Sequence, residues 1–307
     1  MKKILVIGSS GFVGRRVAQT LLAAGYTVRC LARTPAKVRD LAALGCEVVQ
    51  GDMTDPAAMR RALASVDAAY LAVHTLSPQG AGTAAGQGFM DVEMQGVRNI
   101  VAACRTNGVH RLLYVTFLGT ASDGPSAWAR GRWQTEQFLL GSGLDVTVIR
   151  PGQIVGVGGD GFDMLAAQAR RSPALIMGSG RQKFRTIALD DLVAYLVGVL
   201  DEPRAYGHGY DVGSDDILTV DQMIDGAAAI LGRKQPRKIH IPQALLSAIA
   251  PLAERLTRVP RGALRGLLDG MGTDLIGDPT PIRQLLPRPL LSYGQSAAQA
   301  LMTESKA

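Results

Sequence analysis

Seven residues near the start of the chain constrain its fold more than any other stretch. Gly8-Ser9-Ser10-Gly11-Phe12-Val13-Gly14 spells GxxGxxG, directly after the aliphatic run Ile4-Leu5-Val6-Ile7 and at the head of a segment with helical periodicity, residues 13–24. Glycine at these places permits a tight strand-to-helix turn, close approach of the backbone to a diphosphate, and close packing of helix on strand. The free N–H groups at the helix start then face the phosphates. A lone glycine motif says little, but a strand before it and a helix after it are the context that a dinucleotide-binding turn needs. Gly8, Ser10, Gly11, Phe12, Val13 and Gly14 are therefore candidate cofactor-binding residues.

Up to residue 150, short aliphatic runs (3–8, 27–32, 47–50, 68–73, 112–116 and 145–149) alternate with helical patterns (13–24, 35–44, 56–64, 89–107 and 128–140). Continuous Val/Ile/Leu strands separated by helices require a parallel sheet covered on both faces. Right-handed crossovers then give a doubly wound, Rossmann-like α/β fold. After Pro151 the texture changes to longer helices with Gly and Pro breaks, a strand-like stretch at 209–212 and a helix starting near Val220. The expected organisation is an NAD(P)-binding Rossmann domain over 1–150 and a smaller, mostly helical C-terminal substrate domain over 151–307, interleaved with the first. Beyond Pro242 lies an amphipathic tail (244–256, 263–268 and 282–286) whose apolar face is flanked by Arg255, Arg258, Arg261 and Arg265. Helices packing on the smaller domain, a dimer contact or a peripheral membrane contact would each use such a tail.

Composition narrows the setting. Aromatic residues make up 5% beside 36 glycines, so the apolar mass is small and aliphatic, and low-complexity disorder is excluded. Charged residues, Pro or Gly interrupt every apolar run before the ~18–20 residues of a membrane span, and the run after Met1-Lys2-Lys3 is too short for a signal sequence. Cys30, Cys46 and Cys104 are widely spaced, with no CxxC, and read as reduced core thiols of a cytoplasmic protein. The formal net charge of +7 attracts anions, but the basic residues are scattered without a dense block, so no nucleic-acid partner is expected.

The end of the second strand bears on the cofactor. An NAD site usually places Asp or Glu there to take the ribose hydroxyls. This chain has Leu31-Ala32-Arg33-Thr34-Pro35-Ala36-Lys37, with no acid until Asp40. Arg33 can stack on adenine and pair with a 2′-phosphate, and Lys37 adds a second positive charge, so NADP(H) is expected over NAD(H). Asp52 can accept from the adenine amino group. Met53, and Ala72 and Val73 at the end of the fourth strand, complete the expected cofactor contacts on this side.

These motifs, GSSGFVG, LARTPAK, VVQGDMTDP and AYLAVHTL, resemble the extended and atypical short-chain dehydrogenase/reductase superfamily. Within it the chain is similar to the NAD(P)H-binding NmrA-like and complex I 39-kDa-subunit-like branches, often labelled nucleoside-diphosphate-sugar epimerases. The resemblance continues through LLYVTFLGT, DVTVIRPGQIVG, FRTIALDDLVAYLVGVL and GYDVGSDDILTVDQMI. It implies a Tyr-xxx-Lys pair on the helix before the sixth strand, the tyrosine exchanging a proton with the substrate and the lysine lowering its pKa. Here Trp128 stands where Tyr is expected and Arg132 where Lys is expected. Indole N–H has no usable acidity. Arg132 can bond the nicotinamide ribose but cannot act as an acid. The usual mechanism is absent.

Other groups are candidates for its place. His74 stands just past the fourth strand, and the reference pKa of an imidazole, ~6.5, suits proton transfer. The resemblance places a substrate-orienting Ser or Thr at the edge of the fifth strand, where Thr116, Ser122 and Asp123 stand. Tyr70 and Tyr114 lie within strands and read as core. Pro151 and Ile154 match the loop packing beside the nicotinamide. Arg185 matches the segment closing over a substrate, as an anion contact or as the partner of Asp190 or Asp191. The Gly-rich stretch 79–88 is either a mobile flap or a plain loop. No metal-ligand cluster stands out. Two functions remain: an oxidoreductase or epimerase-type enzyme acting on a small organic substrate without the Tyr-Lys pair, or a non-catalytic NADPH-binding redox sensor or assembly protein with a protein partner.

Overall fold

A computed structural model describes residues 1–73, 89–257, 264 and 268–304. Six strands, β1 (Lys3–Ile7), β2 (Thr27–Ala32), β3 (Glu47–Gln50), β4 (Ala68–Leu71), β5 (Arg111–Val115) and β6 (Asp145–Pro151), follow the aliphatic runs of the first half. With β10 (His208–Val212) they form one seven-stranded sheet in the order β3-β2-β1-β4-β5-β6-β10, every neighbouring pair parallel. Side chains of a strand alternate between faces, and β1 divides accordingly. Ile4 and Val6 pack with Val17 and Leu21 of α1 (Phe12–Ala23) and with α7 (Leu189–Gly198). Leu5 and Ile7 pack on the other face with Met59 and Leu63 of α3 (Pro56–Leu63) and Val97 and Val101 of α4 (Phe89–Asn107). Each of these side chains contributes roughly 2 kcal/mol by leaving water, which is why β1 anchors the sheet.

The helical stretch expected over 35–44 divides into a 3₁₀ turn, Pro35–Val38, and α2 (Arg39–Ala43). Val38, at φ −126° and ψ 24°, leaves helical geometry while its side chain is drawn fully into the core. The helix α5 (Ala127–Leu140) begins at Ser126, whose hydroxyl accepts from the Ala129 N–H, the N-cap arrangement that serine favours.

After β6 the chain builds a second lobe. A three-stranded sheet joins β7 (Gln153–Val155), β9 (Lys183–Ala188) and β11 (Ile217–Thr219), and a parallel ribbon pairs β8 (Ala174–Met177) with β12 (Lys238–Ile241). Phe162 and Leu165 of α6 (Asp160–Ala169), Met223 and Ile224 of α8 (Val220–Ile230), and Tyr293 and Leu301 of α11 (Tyr293–Glu304) form its core. Between these elements, α7 and β10 return to the large sheet. Arg111 donates to the carbonyls of Val199 and Leu200, and the Tyr70 hydroxyl donates to that of Leu196, so groups of the sheet satisfy the open end of α7. The tail contributes α9 (Gln243–Thr257) and α10 (Thr280–Leu285). Arg258, Arg261, Arg265 and most of the stretch 263–268 lie outside the described residues, as does the side chain of Arg255. Cys30, Cys46 and Cys104 are buried and unpaired, and burial pushes the Cys30 and Cys104 thiols up to about 12.

Candidate functional site

The strand order reverses between β1 and β4, and ligands of such sheets bind at the carboxyl ends flanking that point. Gly8 leaves β1 there with φ +95°, a conformation that side chains disfavour, and a Cβ on it would lie 2.3 Å from the Ala72 carbonyl oxygen. A Cβ on Gly14 would lie 2.3 Å from the Gly8 carbonyl oxygen. The first turn of α1 carries no carboxylate, and no side chain caps it. Its N–H groups are therefore presented to a ligand, in a cradle that glycine alone keeps open. The Phe12 ring packs against the backbone of Gly156 and Gly159, bringing a glycine-rich turn of the second lobe against the loop.

Arg33 extends from the end of β2, half exposed, its Nε 3.9 Å from Asp52. Among the described residues its guanidinium makes no hydrogen bond and Lys37 makes no ion pair. Asp52 is oriented by the N–H and hydroxyl of Thr54, at 2.9 and 2.8 Å. Met53 is buried against Gly96 of α4. The sequence reading missed Arg15, which pairs with Asp40 and donates to the Lys37 carbonyl, holding the turn that carries Lys37 beside α1. Its position directly after the last glycine of the loop was the available signal.

At the ends of β4 and β5 the structure departs from expectation. Arg132, expected at the nicotinamide ribose, lies within a buried polar cluster. Its guanidinium is buried, 3.2 Å from the Glu93 carboxylate, and donates to the Tyr114 hydroxyl at 2.9 Å and the Val73 carbonyl at 3.0 Å. Tyr114 in turn donates to Glu93 at 2.8 Å. Burial raises the Tyr114 pKa well above its ordinary value. Burial would lower that of Arg132, but Glu93, Tyr114 and Glu136 together outweigh it and hold it above the ordinary value. Tyr114 thus belongs to a buried polar cluster, and its partner Glu93 lies on α4, where no local pattern singles it out.

Trp128 stacks on Phe117 with ring centroids 3.9 Å apart and planes within 4°. Both rings are half-buried at the edge of the sheet where a catalytic tyrosine was expected. Beside them the hydroxyl oxygens of Thr116 and Thr120 are buried and have no hydrogen-bond partner among the described residues. Leu275, from the tail, sits against Gly119, where a Cβ would lie 2.5 Å from its methyl carbon. Pro151 ends β6, its carbonyl accepting from the Leu118 N–H, and Ile154 packs into the core beside the sheet. Ser122 and Asp123 are exposed.

Arg185 is not paired with Asp190 or Asp191. It donates to the carbonyls of Ile276 and Ser214, both at 2.7 Å, and so fastens the segment bearing Leu275. Asp190 pairs instead with Arg16 at 2.8 Å, and Asp191 faces Arg288 at 3.6 Å. The Ile276 and Ser214 carbonyls occupy the Nε and one of the Nη donors of Arg185. His74 and the stretch 79–88 lie outside the described residues. Among the described residues no cluster of metal-ligating side chains occurs, and no helix is long and apolar enough to cross a membrane.

A glycine-gated helix start at the switch point of a parallel sheet defines a dinucleotide-binding protein of the Rossmann type. A family model described as NAD(P)H-binding matches residues 8–203, and the chain belongs to that family. Quinone oxidoreductase 2 of Escherichia coli (strain K12) is 28% identical over 292 residues, covering 90% of this chain and 94% of that protein. The NAD(P)H azoreductase of Xenophilus azovorans is 26% identical over 230 residues, covering 75% and 74%. Among solved structures, an NADPH-dependent quinone oxidoreductase from Escherichia coli superimposes with a TM-score of 0.73 at 23% identity, covering 97% of this chain and 99% of that one. A nucleoside-diphosphate-sugar epimerase from Pseudomonas aeruginosa gives 0.74 at 18%, covering 99% and 98%. These likenesses agree with the short-chain dehydrogenase/reductase resemblance and with the fold.

Proposed function

We propose that the protein is an NADPH-dependent reductase of planar, conjugated acceptors of the quinone type. The observation that carries this reading is the Trp128–Phe117 stack in place of a proton-donating tyrosine. Reducing an isolated ketone makes an alkoxide, which needs an acid at hand. A reduced quinone is a phenolate, whose conjugate acid has a pKa of about 10, as for tyrosine, so water can protonate it. Aromatic faces also suit a flat acceptor. The names of the quinone oxidoreductase and azoreductase relatives support the same class.

The glycine turn and the start of α1 would hold the diphosphate, and Arg33 with Lys37 the 2′-phosphate. When bound, NADPH supplies a hydride. Thr116 would donate a hydrogen bond from its otherwise unpartnered hydroxyl to an acceptor oxygen. Arg132, which donates to the Val73 carbonyl, would steady that edge of the site. The buried, unpaired thiols are in keeping with a reducing, cytoplasmic setting.

Purified protein should oxidise NADPH rapidly with simple quinones and at least about a hundredfold more slowly with unconjugated ketones. Trp128→Ala should raise the quinone KM about three- to tenfold, since such stacking is worth roughly 0.5–1.5 kcal/mol. Equal rates on ketones, or none on quinones, overturn the assignment. Arg33→Ala should weaken NADPH about ten- to a hundredfold while sparing NADH, because a charge-assisted phosphate contact is worth roughly 1.5–3 kcal/mol. Titration of both cofactors checks this, and an equal loss for both removes the 2′-phosphate role.

A further inference from the structure

The second lobe carries an apolar surface that the dinucleotide site does not use. In the ribbon of β8 and β12, Ala174 and Ile176 are buried, while Leu175 and Met177 stand out at 47% and 36% exposure. The parallel register sets Leu175 beside Ile239, itself 42% exposed, so the outer face of the ribbon is aliphatic. Through Pro242 the chain passes directly into α9, where Leu245, Ile249 and Leu252 are all more than half exposed. Steps of four and three residues line one side of a helix. The stripe that holds α9 to the protein is a different one: Ala250 is buried, and Glu254 accepts from the Leu264 N–H.

Both strands of a parallel ribbon start at the same end, and there the cations gather. Arg170 and Arg171 precede β8, and Arg233, Lys234 and Arg237 precede β12. The first four line one shallow hollow. Neighbouring carboxylates are engaged elsewhere, Asp225 with Lys238 at 2.6 Å and Asp221 with His240 at 3.0 Å. Among the described residues Arg171, Lys234 and Arg237 make no ion pair. The hollow is a poor cradle for a single phosphate, because α6 and α8 both end beside it and offer carbonyls rather than N–H groups; Arg233 donates to that of Arg170. An aliphatic face bordered by unpaired cations suits a broad anionic surface instead.

We propose that this face docks the protein on an anionic lipid surface, the aliphatic side chains entering the headgroup layer and the cations meeting lipid phosphates. A second copy of the chain fits less well. A self-complementary contact brings the same cations together from both sides, with the face's carboxylates already committed. The inference stands apart from the quinone reading, since it shares no residue with that site.

The test is sedimentation of the full chain with vesicles of phosphatidylcholine alone or with added phosphatidylglycerol. The protein should sediment only with the anionic vesicles, and less as salt rises. The triple variant Arg171→Glu, Lys234→Glu, Arg237→Glu should bind at least about a hundredfold more weakly, from roughly fivefold per cation lost and the repulsion of the added carboxylates. Ile249→Gln with Leu252→Gln should lower binding by at least about tenfold. An unchanged thermal transition by circular dichroism shows that both variants remain folded. No sedimentation with anionic vesicles, or binding indifferent to both variants, overturns the proposal. So does a dimer in solution that the same variants convert to monomer, which would make the face a contact between copies.

Discussion

Glu93→Ala is expected to lower the free energy of unfolding by about 3–5 kcal/mol, the cost of stripping one partner from a buried ion pair. Arg132 is 2% exposed and cannot turn its charge to water; without Glu93 its acceptors among the described residues are a hydroxyl and a carbonyl. Tyr114 loses its acceptor in the same step. Urea unfolding followed by circular dichroism reads the effect as a lower midpoint with an unchanged slope. The double variant Glu93→Leu, Arg132→Met should recover much of the loss, because an apolar pair of similar volume needs no counter-charge. A single variant within about 1 kcal/mol of the parent would mean that water reaches the guanidinium.

Gly8→Ala is expected to weaken NAD(P)H binding by at least about a hundredfold. A left-handed conformation is worth roughly 1–2 kcal/mol against a non-glycine residue, and the new methyl would fall 2.3 Å from the Ala72 carbonyl oxygen. Relief requires the ends of β1 and β4 to part, and those ends aim the phosphate turn. Gly25→Ala separates strain from crowding: its φ is +87°, yet nothing lies within 4 Å of the added methyl. It should cost about 1–2 kcal/mol of stability and leave cofactor affinity intact. If titration shows both variants binding alike, the close approach at Gly8 does not shape the site.

Elements that bury themselves by their own periodicity were readable from the sequence. The runs at 27–32 and 47–50 match β2 and β3, and 89–107 matches α4, because continuous aliphatic runs and 3.6-residue patterns are local. The glycine turn was readable for the same reason. Arg132 was not: its burial depends on Glu93, 39 positions earlier and delivered by another helix. Nor were the partners of Arg185, since the carbonyls it donates to, from Ser214 and Ile276, arrive from distant loops rather than from Asp190 or Asp191. Leu275 carries no local mark at all and meets Gly119 only through tertiary packing. The β8–β12 ribbon escaped because its strands are four residues each and pair across sixty positions of chain.

The seventh strand, β10, has a consequence for the order in which the protein can be made. A ribosome that has released β6 leaves its outer edge bare until residues 208–212 emerge. The intervening chain must also finish α7, whose last carbonyls close over Arg111 and Tyr70. A fragment cut near residue 151 would therefore present an unpaired parallel edge and two uncovered polar side chains, a template for aggregation rather than a free-standing nucleotide-binding module.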